Sequence, residues 1–253
     1  MKRTIVITDL TRMKPPRVCI GGYFWDEGTC VRPIIPHQEI TESFLYVENT
    51  LVIKPFALVE LDFIRPKPDP PHSEDWEIHP THRRLITNEL TDEQKRDFLN
   101  RIVDPSISSI FKATIHDDTY VLYGQGERSL GTIHPKEVIG VEYEPLRTES
   151  KWDYRITLSD AGNHLVRLPV TDLAFRECCE ARLRGGTTHT AIALSLKNLF
   201  NDPETYTFIR VGLARRWARR FPDRCYIQIT GIYTFPDYLQ GRNFADCRSS
   251  ASS

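Results

Sequence analysis

Six arginines and a single acid fall between Arg210 and Arg224: Arg210, Arg215, Arg216, Arg219, Arg220 and Arg224 against Asp223. Trp217 and Phe221 are interleaved with them, and Tyr226 follows at once. Guanidinium groups fork onto phosphate oxygens, and aromatic faces stack on bases, so this pattern points to contact with nucleic acid or phosphate. A helical turn over 213–220 would place Arg215 and Arg219 on one face, with Arg216 and Arg220 beside them. The competing reading is a solvated loop whose arginines pair with acids elsewhere in the chain.

A second cluster runs from His72 to His82 and holds Glu74, Asp75, Glu77 and His79 around Trp76. Such oxygen and imidazole groups can ligate a divalent metal, as a metal-dependent nuclease requires. Pro80 lies between His79 and His82, however, and no second carboxylate cluster stands at a recognisable spacing. A loop anchored by Trp76 is the expectation, with no metal site. Gly124-Gln125-Gly126 lacks the Lys-Ser/Thr ending of a phosphate-binding loop, and Gly185-Gly186 lacks the strand–turn–helix setting of a dinucleotide site. Neither G-x-S-x-G nor H-E-x-x-H occurs. The sequence therefore names no catalytic residue and no cofactor, and it reads as non-enzymatic.

The 253 residues are 40% hydrophobic and carry a net charge of −1. Proteins that coat nucleic acid are usually strongly basic, so any electrostatic footprint here must be local. No stretch approaches the ~20 apolar residues of a membrane span, and the apolar run near the N-terminus is too short for a signal peptide. The six cysteines form no C-x-x-C pair. They read as reduced packing residues, which fits a cytoplasmic location.

The elements that would hold these groups are mostly strands. Residues 4–8, 17–24 and 29–34 form a meander, and 51–64 is a further strand in which Pro55 marks a bulge or entry point. Residues 65–82, dense in Pro, His and acids, read as a loop. Thr91 caps a helix that Asp104-Pro105 ends. Strands resume at 119–123, 129–133, 138–144, 153–159 and 164–168, the last two joined by a hairpin at Asp160-Ala161-Gly162-Asn163. Helices follow from a cap at Thr171 or Asp172 to about Leu183 and over 189–200. Final strands at 206–213 and 225–233 flank the arginine segment. The fold class is mainly β with helical insertions: two small barrels or sandwiches over 1–112 and 113–242, then a disordered tail over 243–253.

Several of these segments form a recognisable set: Val18-Cys19-Ile20-Gly21-Gly22, Cys30-Val31-Arg32-Pro33-Ile34, the Glu74-Asp75-Trp76 loop, Arg210-Val211-Gly212-Leu213-Ala214-Arg215 and Thr230-Gly231-Ile232-Tyr233. Together they resemble the prokaryotic dual OB-containing domain family over about residues 3–240. The resemblance implies two tandem five-stranded OB barrels and a role in nucleic-acid binding or ligand sensing, in the setting of bacterial conflict and defence. Arg32, Trp76, Arg210, Arg215 and Tyr233 fall in the matching motifs. The resulting expectation is a DNA- or RNA-binding module acting through Arg32, Arg210, Arg215, Arg216, Trp217, Arg219, Arg220, Phe221, Tyr226 and Tyr233. The rivals are an adaptor for a protein partner, a sensor of a nucleotide-like ligand, and a nuclease built on Glu74, Asp75, Glu77 and His79.

Overall fold

A computed structural model describes residues 1–82, 84–145, 152–217 and 219–249. The first half is a barrel. Its strands are Lys2–Arg12 (β1), Val18–Phe24 (β2) and Cys30–Ile34 (β3), with Ala57–Pro66 (β6) and Asp75–Ile78 (β7) beyond a small hairpin of Tyr46–Val47 (β4) and Thr50–Leu51 (β5). They pair in the order β1-β2-β3-β7-β6, and β1 meets β6 again to close the ring. The pairing of β3 with β7 is parallel; the rest of the ring is antiparallel. A further strand, Leu85–Glu89 (β8), pairs with β6 outside the ring.

The uninterrupted apolar run at the start of β1 has a physical reason. Ile5 and Ile7 point into the barrel core, while Val6 packs in a separate cluster with Phe208 of the second half. A strand buried on both faces loses the alternation of a half-wet strand. Gly22 lets β2 lie close to β1, since a Cβ there would sit 2.2 Å from the Val6 carbonyl oxygen.

The second half is a half-barrel of two sheets. Tyr120–Leu122 (β9), Leu130–Ile133 (β10), Tyr206–Leu213 (β14) and Arg224–Phe235 (β15) pair in the order β10-β14-β15-β9. Glu137–Pro145 (β11), Trp152–Ser159 (β12) and Leu165–Pro169 (β13) form the other sheet. Both sheets share a core that includes Val121, Val138, Ile156, Val211 and Ile229. Helices complete the molecule. Asp92–Arg101 (α1) begins in a capping box between Thr91 and Gln94, and Ile107–Phe111 (α2) in one between Ser106 and Ser109. Asp172 caps Leu173–Arg184 (α3), and Thr188 caps His189–Phe200 (α4).

The mainly-β tandem OB-like class thus stands, with four corrections of detail. The segment 65–82 is not all loop: it contains β7, whose Asp75 and Glu77 are paired with arginines rather than exposed to water. β8 and α2 add elements where no strand or helix was expected, and α2 packs in the second core although it precedes residue 112. The expected disordered tail holds a helix over Phe244–Ser249 (α5): Phe244 plugs the first barrel beside Leu173 and Ala174 of α3, and the buried Cys247 is bonded to Cys178 of α3; residues 250–253 lie outside the described residues. Finally, Cys178 and Cys247 form a disulfide, which does not fit the reduced cysteines of a cytoplasmic protein. Cys19, Cys30, Cys179 and Cys225 are free thiols. Among the described residues no helix is long and apolar enough to cross a membrane.

Candidate nucleic-acid interface

Arg210 and Arg32 are buried. Arg210 lies on β14 with 0% of its surface exposed. Its Nε and Nη2 donate to the Asp9 carboxylate of β1, and its Nη1 donates to the Tyr23 hydroxyl and Thr132 Oγ1. Asp9 also accepts from Thr8 and Thr230, so this charge pair joins the two halves with its lone pairs satisfied. Tyr233 belongs to the same seam, its hydroxyl donating to the Thr8 carbonyl. Arg32, 4% exposed, donates from Nε to Asp75 across the parallel β3–β7 pair. Arg215 reaches the other oxygen of Asp75 and lies 3.9 Å from Asp69. Four of the ten residues named from the sequence are thus tied to carboxylate or carbonyl partners far away in sequence, although Arg215 keeps 45% of its side chain exposed.

The supposed metal cluster is likewise engaged. Glu74 accepts from the backbone N–H and hydroxyl of Ser129, and Glu77 from Arg65. Among the described residues no three His, Cys, Asp or Glu side chains come together as a metal site. His72 is buried at the junction of the halves, its Nε2 within 3.1 Å of the Leu213 carbonyl oxygen, where it donates as a neutral ring. Burial, reinforced by the charges of Arg32 and Arg215, pushes this imidazole down to about 3. The unfolded chain then binds a proton below pH ~6.5 that the folded chain refuses. The histidine contributes no pH dependence above that value, and stability falls as pH drops from about 6.5 towards 3. Urea unfolding at pH 7, 6 and 5 is expected to show a loss approaching about 1.4 kcal/mol per pH unit at the acid end, flattened by His72→Gln; equal slopes in the two proteins would contradict it.

The other six residues gather on one surface. The hairpin between β14 and β15 opens into a loop, described over 214–217 and 219–223, where Trp217 and Phe221 form an isolated bridge in place of a helical turn. Trp217 is 57% exposed. Its ring centroid is 6.5 Å from Phe221, which is 5.7 Å from Tyr226. Tyr226 lies opposite Tyr120 on the edge strand β9, 5.7 Å away, and Tyr120 stacks with His116 at 5.3 Å. Five rings thus form one continuous row.

Cations flank that row. Arg220 lies 5.6 Å over Trp217 and 5.4 Å over Phe221; Arg224 lies 4.6 Å over Tyr120. Arg216 covers Tyr123 at 3.8 Å, and Arg219 is exposed. Asp223, 4.0 Å from Arg224, is the acid in the loop itself. Trp217 offers an exposed π face beside the exposed guanidiniums of Arg216, Arg219 and Arg220, the chemistry of base stacking and phosphate contact, while Tyr120 is buried and supports the row from beneath. Tyr120, His116 and Tyr123 join a site that sequence reasoning did not assign to them, and Arg224 of the basic run reaches it over Tyr120. Tyr120 and Tyr123 sit in a segment readable as a strand, but its pairing with β15, about a hundred residues later, leaves no local signal.

A family model described as "Dual OB-containing domain" matches residues 3–232. No curated protein matches the chain. Among solved structures, a murine DNA-binding protein bound to double-stranded DNA aligns over 92% of this chain and 97% of its own, at 8% identity and a TM-score of 0.34. At that likeness it lends neither fold nor ligand to this chain.

Proposed function

Because the chain belongs to the dual OB-containing domain family, we propose that it is a non-catalytic nucleic-acid-binding module that takes single-stranded DNA or RNA along its ring row. The observation that carries this reading is the row itself: Trp217, Phe221, Tyr226, Tyr120 and His116 in sequence, flanked by Arg216, Arg219 and Arg220. Stacking on side chains requires bases free of a duplex stack, so unpaired strands are preferred over duplex. OB barrels bind strands in this manner, over an open face with aromatic and basic side chains.

Fluorescence anisotropy with labelled single-stranded and duplex DNA and RNA, at low and near-physiological salt, tests the proposal. Trp217→Ala is expected to weaken single-strand binding by about 1–3 kcal/mol. The double variant Arg219→Ala/Arg220→Ala removes two phosphate contacts, which lowers the slope of log affinity against log salt by about 1.4. Absence of binding to every probe at micromolar protein would sink the reading and leave the surface as a docking face for a protein partner.

A further inference from the structure

A separate cavity opens between the two halves. It is a cleft of about 430 Å³, walled by Val18 and Ile34 of the barrel and by Leu130 and Leu213 of the half-barrel. That volume lies within the range of about 300–1,000 Å³ typical of small-molecule pockets. Four cations line it, Arg12, Lys14, Arg32 and Arg215, against the acids Asp9 and Glu39. Both acids are already matched, Asp9 by Arg210 and Glu39 by Arg17. Arg12 is held by Glu180. The carboxylates that hold Arg32 and Arg215, Asp75 and Asp69, do not line the cleft, and neither does Glu74 beside them.

Two groups are left over. Lys14, in the exposed β1–β2 turn, forms no ion pair among the described residues. Arg32 is buried, yet its Nη2 has no hydrogen-bond partner. Arg32 donates from Nε alone, so an anion at the cleft side of its head would give the guanidinium a further acceptor. The branched apolar walls suit a flat ring, and the side-chain amides of Gln38 and Gln228 offer donors and acceptors to its edge.

We propose that this cleft is a site for a nucleoside monophosphate, with the base between the apolar walls and the phosphate at Arg32, Arg215 and Lys14. The site is distinct from the ring row and does not depend on polynucleotide binding there.

Isothermal titration of the full chain with AMP tests it, with adenosine and inorganic phosphate as partial ligands. AMP is expected to bind, and each partial ligand to bind at least about tenfold more weakly. Lys14→Glu and Gln38→Trp, both at exposed positions, are expected to weaken AMP about tenfold while leaving thermal unfolding unchanged. Arg219→Ala/Arg220→Ala leaves AMP binding intact even as strand binding falls, so the two readings fail separately. The proposal is overturned by the absence of AMP binding to folded protein, by phosphate binding as tightly as AMP, or by loss of AMP binding in the loop variant. A 5′-phosphorylated oligonucleotide that loses affinity in Lys14→Glu, where its unphosphorylated twin does not, identifies the occupant as a strand end; indifference to the phosphate identifies the free nucleotide.

Discussion

Arg210→Met is expected to lower the unfolding free energy by about 3–5 kcal/mol, read as a shift in the urea midpoint at constant slope. The substitution leaves the Asp9 carboxylate buried between the halves with its cationic partner gone, and strips a donor from both Tyr23 and Thr132. Most of that cost is the stranded charge, so Asp9→Leu combined with Arg210→Met should recover much of it. Nucleic-acid affinity per folded molecule should not change, because no part of Arg210 is exposed. A variant that folds normally but fails to bind strands would restore Arg210 to the interface.

Removal of the Cys178–Cys247 disulfide ranks next. The bridge spans 69 residues of sequence, and the chain-entropy model then assigns it about 4 kcal/mol. Cys247→Ser should show that loss by denaturant unfolding, and the wild-type protein should approach the variant when unfolded in reductant. Titration of the denatured, unreduced protein should find four thiols, from Cys19, Cys30, Cys179 and Cys225. Six thiols would remove the bridge from the native protein.

Local signals in the sequence were enough to read the strands and helices that bury apolar faces. The cap at Thr91, the helix start at Thr171 or Asp172 and the hairpin at Asp160–Asn163 are legible from a few adjacent residues. What the sequence hides is pairing over distance. Asp75 and Glu77 look like loop residues until Arg32 and Arg65 are seen beside them. Arg210 and Arg216 are the same residue type in the same basic run, but one faces Asp9, 201 residues away, and the other lies at the surface over a half-buried ring. Composition cannot separate a guanidinium committed to the fold from one free for a ligand. The tail misled for a similar reason: Phe244 and Cys247 are isolated apolar signals whose partners lie in the barrel and on α3.

The plug formed by Leu173, Ala174 and Phe244 bears on how the protein is made. The barrel strands leave the ribosome before α3 and α5, so their core lacks Phe244 until that residue emerges. At about 5–20 residues per second, the stretch from the end of β7 at Ile78 to residue 244 takes roughly 8–33 seconds. During that interval the inner faces of β1 and β6 are exposed to chaperones and to neighbouring nascent chains. Translation speed over the second half, and not only the stability of the finished fold, thus governs how much of the protein is recovered.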